Sequence, residues 1–139
     1  MFIKNSVYYA VIKTAITIYV SCLVGYVLGK FRFRGRQVIF TLIIATMMVP
    51  WPATLIPNYQ MMVWFGWLDT DLSILYSALT SAYGVFLMRQ FSFSISDSLL
   101  EAARIDGAGE MRIFHRIAMP LMLNGIGALA IMIFLWEWD

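Results

Sequence analysis

Four apolar runs set the terms on which this chain can fold: residues 7–28, 38–56, 72–88 and 121–138. Crossing the hydrocarbon core of a bilayer, about 30 Å, takes about 20 apolar residues at about 1.5 Å of rise each. The first run meets that requirement, and the third is at the short end of the range. In lipid every backbone amide and carbonyl must be satisfied within the protein, and helices do this locally. The expected fold is therefore all-α, a polytopic transmembrane helical bundle of about four spans. Charged residues make up 13% of the chain and mean hydropathy is +0.77. Soluble domains carry about 25% charged residues, so that class is excluded. The net charge of +2 gives no reason to expect a nucleic-acid partner.

Within the first run, Lys13 lies near one end, where a long side chain can snorkel to the headgroups. Ser21, Gly25 and Gly29 recur every four residues and form a small-residue face against which another helix can pack closely. Lys30, Arg32, Arg34 and Arg36 come next, with no acid among them. The second run meets Pro50, Pro52 and Pro57. Each proline removes a donor and disfavours helix at the preceding residue, so this span should bend or end near Pro50 and continue irregularly to Pro57. Residues 58–71 are expected to connect spans. Trp51, Tyr59, Trp64 and Trp67 around them fit an aromatic belt at an interface better than a surface for stacking on a ligand. Ser73, Ser77 and Ser81, again four apart, suggest a second packing face.

Lys and Arg are abundant after the first and third runs and absent from the loop after the second, which alternates cytoplasmic, external, cytoplasmic. That pattern starts the chain outside, and the last apolar helix is still running at Asp139. Both points lead us to expect a piece of a longer protein. Cys22 and His115 are each the sole residue of their type, so neither a disulfide framework nor a metal cluster is expected. No catalytic residue and no metal ligand is assigned: the spans hold no His, and no Asp or Glu before Glu137, which removes the facing ionisable groups that an intramembrane enzyme needs.

The long polar interval 89–120 remains. Ser98 and Glu101 have the spacing of a capping box, predicting a helix to Asp106 that Gly107 would close in the left-handed conformation. Leu99, Ala102 and Ala103 would share one side, nearly flat, opposite Glu101 and Arg104. A second helix would come after it, with Met111, Ile113, Phe114, Ile117 and Ala118 on one arc and Arg112, His115 and Arg116 on the other, lying along the membrane surface. Pro120 would open the next helix, where a missing amide costs least.

The run E-A-A-R-I-D-G-A from Glu101, with F-x-R-I-x-x-P ending at Pro120, resembles the EAA motif of ABC importer permeases, and most closely their carbohydrate-uptake branch, the maltose- and glycerol-phosphate-type permeases. Matching segments cover nearly the whole chain: Asn5-Ser6, Phe33-Arg34-Gly35-Arg36, Met47-Met48-Val49-Pro50, Leu55-Ile56-Pro57-Asn58-Tyr59, Gly66-Trp67-Leu68-Asp69-Thr70 and Phe86-Leu87-Met88-Arg89-Gln90-Phe91. The pattern is departed from in three places. Ser96 stands where the family usually has Pro, Asn124-Gly125 where a Lys-Pro-like pair is common, and Asp139 where Asn usually stands after Trp.

The resemblance implies that residues 1–139 are part of an ABC transporter transmembrane domain, in the cytoplasmic (inner) membrane of a prokaryote, with the EAA loop facing the cytoplasm. It implies a coupling helix around Glu101 to Gly107, seated in a cytoplasmic ABC ATPase. Ala102 and Ala103 would make the close contact, Glu101 and Asp106 polar contacts or caps, and Gly107 the elbow, with Ala108, Phe114, Ile117 and Pro120 completing the loop. Further implied partners are a second permease subunit in a heterodimer, an extracytoplasmic solute-binding protein and the lipid bilayer. The chain itself would bind no cofactor; ATP and Mg would be used by the ATPase. The implied cargo is a sugar or sugar-like solute. Asn58, Gln60 and Asn124 are substrate-contact candidates by polarity alone. The competing expectation is a membrane scaffold that docks a cytosolic partner without transport.

Overall fold

The computed structural model describes residues 2–79 and 81–138; Asp139 lies outside the described residues. Among the described residues every regular element is helical, as the apolar runs require. The α-helices are, in order, α1 (Phe2–Lys30), α2 (Arg36–Thr46), α3 (Trp51–Phe65), α4 (Asp71–Leu75), α5 (Ala82–Phe93), α6 (Asp97–Ile105), α7 (Glu110–Ile113), α8 (Met119–Leu121) and α9 (Leu123–Trp138). A 3-10 turn, Tyr76–Leu79, comes after α4, and a π-helical turn, Phe114–Ala118, joins α7 to α8. Two stretches, Lys4–Lys30 and Asp71–Phe93, are long and apolar enough to cross a membrane, or four if each of two bent helix pairs is one span.

Helix α1 is the centre of the packing. Its C-terminal part lies against α5, it also packs on α9, and α5 and α9 touch. The small-residue face expected on the first run is the α1–α5 contact. A Cβ on Gly25 would stand 2.7 Å from the backbone nitrogen of Arg89, and one on Gly29 would stand 1.8 Å from Ser92 Oγ. The missing side chains let the two backbones approach closely enough for dispersion contact along the whole seam.

Four expectations are corrected. Helix does not become irregular after Pro50. The α2–α3 pair bends by 101° at residues 47–50, and then α3 runs regularly through Pro57 to Phe65. The expected connection 58–71 is thus helical for its first half. Proline forbids its own amide bond and crowds the carbonyl four residues earlier, but in an apolar setting the surrounding amides still do best in a helix. The serine row is also not one face. Ser73 Oγ donates to the Thr70 carbonyl, and Ser81 is the N-cap of α5, accepting from the Gly84 amide at 3.0 Å. Short hydroxyls compete for backbone groups in this way and break the helix that spacing alone would continue. Finally, Lys13 does not snorkel alone: its ammonium pairs with the Glu137 carboxylate of α9.

Candidate functional site

The polar interval forms an elbow, α6 to α8, whose inner side belongs to the same core as the spans. Leu100, Ile113, Phe114 and Ala118 are buried in one cluster with Cys22, Tyr26, Met88, Met122 and Leu129. The Phe114 ring meets Tyr26 at 5.5 Å and Tyr19 at 6.2 Å, both from α1. Burying such a ring is worth about 1.5–3 kcal/mol relative to leaving it exposed, so the elbow is anchored to the first span by packing.

Helix α6 begins earlier than the capping-box spacing indicates. Ser96 is the N-cap and Ser98 lies within the first turn; their hydroxyls share a hydrogen bond of 2.6 Å. The Ser96 side chain caps no backbone amide. Asp97, now the first helical residue, is positioned against Lys30 at the end of α1, with Nζ to Oδ1 at 2.7 Å. The Lys30 ammonium also donates to the Ile95 carbonyl. The Lys30 hydrogen bond and charge hold the Asp97 carboxyl below its ordinary range, and a carboxylate at a helix N-terminus is itself favourable.

The far end of α6 closes as the sequence indicates. Gly107 has φ +83°, its amide donates to the Arg104 carbonyl, and the Ala108 amide donates back to the Ala103 carbonyl, each at 3.0 Å. These two bonds make a Schellman cap. Ala103 and Ala108, the apolar pair of that cap, both pack on the core. Arg104 Nε then reaches across the turn to Glu110 Oε1 at 2.6 Å, and that hydrogen bond keeps the guanidinium more firmly protonated.

The faces of α6 are divided differently from the expectation. Leu100 and Ala103 turn inward, while Leu99, Ala102, Glu101 and Asp106 face outward. Ile105, which the helical phase does not single out, is 86% exposed, and Leu99 is 43% exposed. Met111, expected on the buried arc, is 56% exposed, because the helix restarts at Glu110 and takes its phase from Ile113 and Phe114. The outer surface of α6 is thus an apolar ledge of Leu99, Ala102 and Ile105, and Met111 is a further exposed apolar residue on α7. The sequence does carry a signal for Ile105: a β-branched apolar residue on the polar side of an amphipathic helix.

In α7 and the π turn, Arg112, His115 and Arg116 are exposed, Ile117 is half-buried, and Phe114 and Ala118 are fully buried. His115 Nδ1 donates to the Met111 carbonyl at 2.7 Å. In the neutral ring Nε2 then accepts, here from the Tyr19 hydroxyl at 3.2 Å. The helix therefore docks on α1. Pro120 sits in the first turn of α8. The widened π turn just before it relieves the contact between its ring and the carbonyl four residues earlier. The chain turns by 77° at Met122, before α9, two residues later than the proline.

The weak candidates for solute contact are not gathered together. Gln60 lines an open groove of about 720 Å³ on α3 with Pro57, Tyr59, Met61, Val63 and Trp64. Asn58, half-buried on the same helix, and Asn124, exposed at the start of α9, are not part of that lining. Among the described residues no cluster of three or more His, Cys, Asp or Glu could hold a metal ion.

Long apolar helices packed around a capped polar elbow are the frame of a multi-span membrane protein. The chain belongs to the family of binding-protein-dependent transport system inner membrane components, whose family model matches residues 21–138. It is 36% identical over 135 residues to the lactose transport system permease protein LacG of Rhizobium radiobacter, covering 97% of this chain and 50% of that one. It is 37% identical over 139 residues to the sn-glycerol-3-phosphate transport system permease protein UgpE of Yersinia pestis, covering all of this chain and 50% of that one. The match to the arabinooligosaccharides transport system permease protein AraQ of Bacillus subtilis is 33% over 97% of this chain and 48% of that one. The fold superimposes with TM-score 0.88, at 31% identity, on a chain in the crystal structure of a bacterial ABC transporter involved in the import of the acidic polysaccharide alginate. That superposition covers 97% of this chain and 48% of the other. The chain spans about half the length of the curated relatives it matches.

Proposed function

We propose that these residues form part of the transmembrane domain of a permease subunit in an ATP-driven importer of sugars or sugar-like solutes. In this reading the spans are carried by α1, the bent α2–α3 pair, α4 with α5, and α9. The elbow faces the cytoplasm and receives the ATPase. The chain performs no covalent chemistry: ATP and Mg are handled by the ATPase. A second permease subunit and an extracytoplasmic solute-binding protein complete the machine in the inner membrane of a prokaryote.

One observation carries the proposal. The α6 ledge of Leu99, Ala102 and Ile105 is apolar and exposed on an elbow that is itself fixed to the core. An apolar ledge of this kind costs solubility unless something covers it. Glu101 and Asp106 at its border offer acceptors to a partner's donors. Movement of the partner would pass through Leu100, Ile113 and Phe114 to α1 and through Met122 to α9. For this to switch access, the ATPase must bind the two states with different free energy.

The test is I105D in the full-length permease assembled with its partners. Ile105 is outside the core, so thermal stability should change by less than about 0.5 kcal/mol. Recovery of the ATPase on pull-down and ATP-driven solute uptake in vesicles should both fall sharply. Undiminished ATPase recovery and uptake would overturn the coupling role. ATPase recovery without any solute flux in the unmodified complex would instead favour a scaffold.

A further inference from the structure

A second surface of the chain is left unused by the coupling role. Arg32 and Arg34 lie between α1 and α2 and Arg36 opens α2, and among the described residues no carboxylate stands within ion-pair distance of any of them. Lys30 differs, because Asp97 and the Ile95 carbonyl hold it. Arg36 donates to the Phe31 carbonyl at 3.1 Å and fixes the turn; Arg32 and Arg34 are exposed. Arg32 and Arg36 line an open groove of about 360 Å³ with Phe33, Gly35, Gln37 and Val38. The neighbouring groove, which Arg32 also borders, contains Asp97 and Glu101. The first is lined by two arginines and no carboxylate, whereas the second carries two carboxylates, and Arg32 also acts on the Asp97 carboxylate from its border.

The apolar side of the same groove continues along α2. Phe33, Val38 and Leu42 are all exposed, and Val38 and Leu42, four apart, share one helical face. Cations at the helix start and an apolar stripe leading away from them form an amphipathic surface of fixed order. A free anion would use the arginines and leave the stripe unmatched. An anionic phospholipid uses both: its phosphate meets the guanidinium donors, whose fork suits phosphate oxygens, and an acyl chain lies along Val38 and Leu42. We propose that the α1–α2 turn is a docking site for an anionic phospholipid of the adjoining leaflet, with Arg32 in the groove contacting the headgroup phosphate and the exposed Arg34 of the same turn adding to the positive field. The site requires membrane insertion and does not depend on the transport role.

Native mass spectrometry of the detergent-purified, full-length permease, alone and within the assembled transporter, tests this. The probes are phosphatidylglycerol and phosphatidylcholine of equal chain length. The unmodified protein should retain phosphatidylglycerol preferentially. R32Q/R34Q, which touches no packed contact, should weaken that retention by roughly fivefold for each arginine removed. V38D, which places a carboxylate in the groove, should also lower it, and R112Q on the elbow should leave it unchanged. Equal retention of the two lipids, full preference in both R32Q/R34Q and V38D, or equal loss in R112Q would each overturn the proposal. So would displacement of the lipid by millimolar glycerol phosphate, which would mark a free-anion site. Loss of the lipid on assembly of the transporter would assign the surface to a protein partner and would overturn it as well.

Discussion

Lys30 and Asp97, 67 residues apart in sequence, meet at 2.7 Å and join the end of the first long helix to the first residue of the elbow. The contact sits just outside the bundle, with Asp97 largely exposed and Lys30 largely covered. It fixes where the elbow begins, while Phe114 on Tyr26 fixes how it lies. Its charge dependence gives the first prediction.

The Asp97 carboxyl is held below its ordinary pKa by the Lys30 ammonium. A depressed carboxyl contributes stability that is fully present above the ordinary carboxylate pKa of about 4 and is lost as pH falls through the lower, folded value. Thermal unfolding in micelles should therefore separate the unmodified chain from D97N at pH 7, with the gap narrowing only as pH falls below about 4 and closing below the depressed folded value. A constant offset across that range would show that the pair does not act through charge.

Gly107 is open to solvent, and a Cβ there would touch nothing within 4 Å. Any cost of substitution must come from its φ of +83°. G107V should lose about 1–2 kcal/mol, and G107N distinctly less, because Asn tolerates the left-handed region. Chemical denaturation of the two variants distinguishes strain from crowding, since crowding would penalise the two alike.

The seam between α1 and α5 predicts a steric double-mutant result. G29A places a methyl on Ser92 and should cost about 1–3 kcal/mol by overpacking. S92G removes the obstructing side chain and should return part of that loss when combined with G29A. Additive effects of the two changes, measured by unfolding, would mean that the contact is not direct.

Lys13 and Glu137 form an ion pair between α1 and α9, with 12% and 28% of their side chains exposed. Removing one partner leaves the other poorly solvated, a cost of up to about 3 kcal/mol for a pair that keeps some exposure. K13A and E137A should each destabilise the bundle, and K13E/E137K should recover most of the stability of the unmodified chain. Failure of the exchanged pair to recover would show that the surroundings, including the nearby Tyr83–Trp136 contact, are matched to one polarity.

The features legible in the sequence are those set by a residue's own chemistry. Gly107 ends α6 because few other residues take its conformation, and Gly25 and Gly29 mark a close helix contact because nothing else is small enough. The features hidden from it depend on which partner a residue finds. Ser96 and Ser98 are equivalent as caps until Lys30 draws Asp97 into the first turn. Ala103 looks like part of an outward flat face until its Schellman partner Ala108 packs on the core. Met111 looks buried until Ile113, about 160° around the helix from it, takes the inward position. Pro57 looks like a breaker until the neighbouring amides' need for partners is weighed against its one missing donor. Lys13 finds its partner 124 residues away, which no local pattern records.

The same ion pair has a mechanical meaning. Helix α9 meets the elbow through a 77° corner at one end, and Glu137 ties its other end to α1. The corner and the tie are separated by about 14 residues of helix, or about 21 Å. A rod clasped at its tip and jointed at its base can swing through an arc, but it cannot slide along its own axis without releasing the clasp. A push applied at Met122 would thereby become a tilt, whose widest excursion lies at the jointed end.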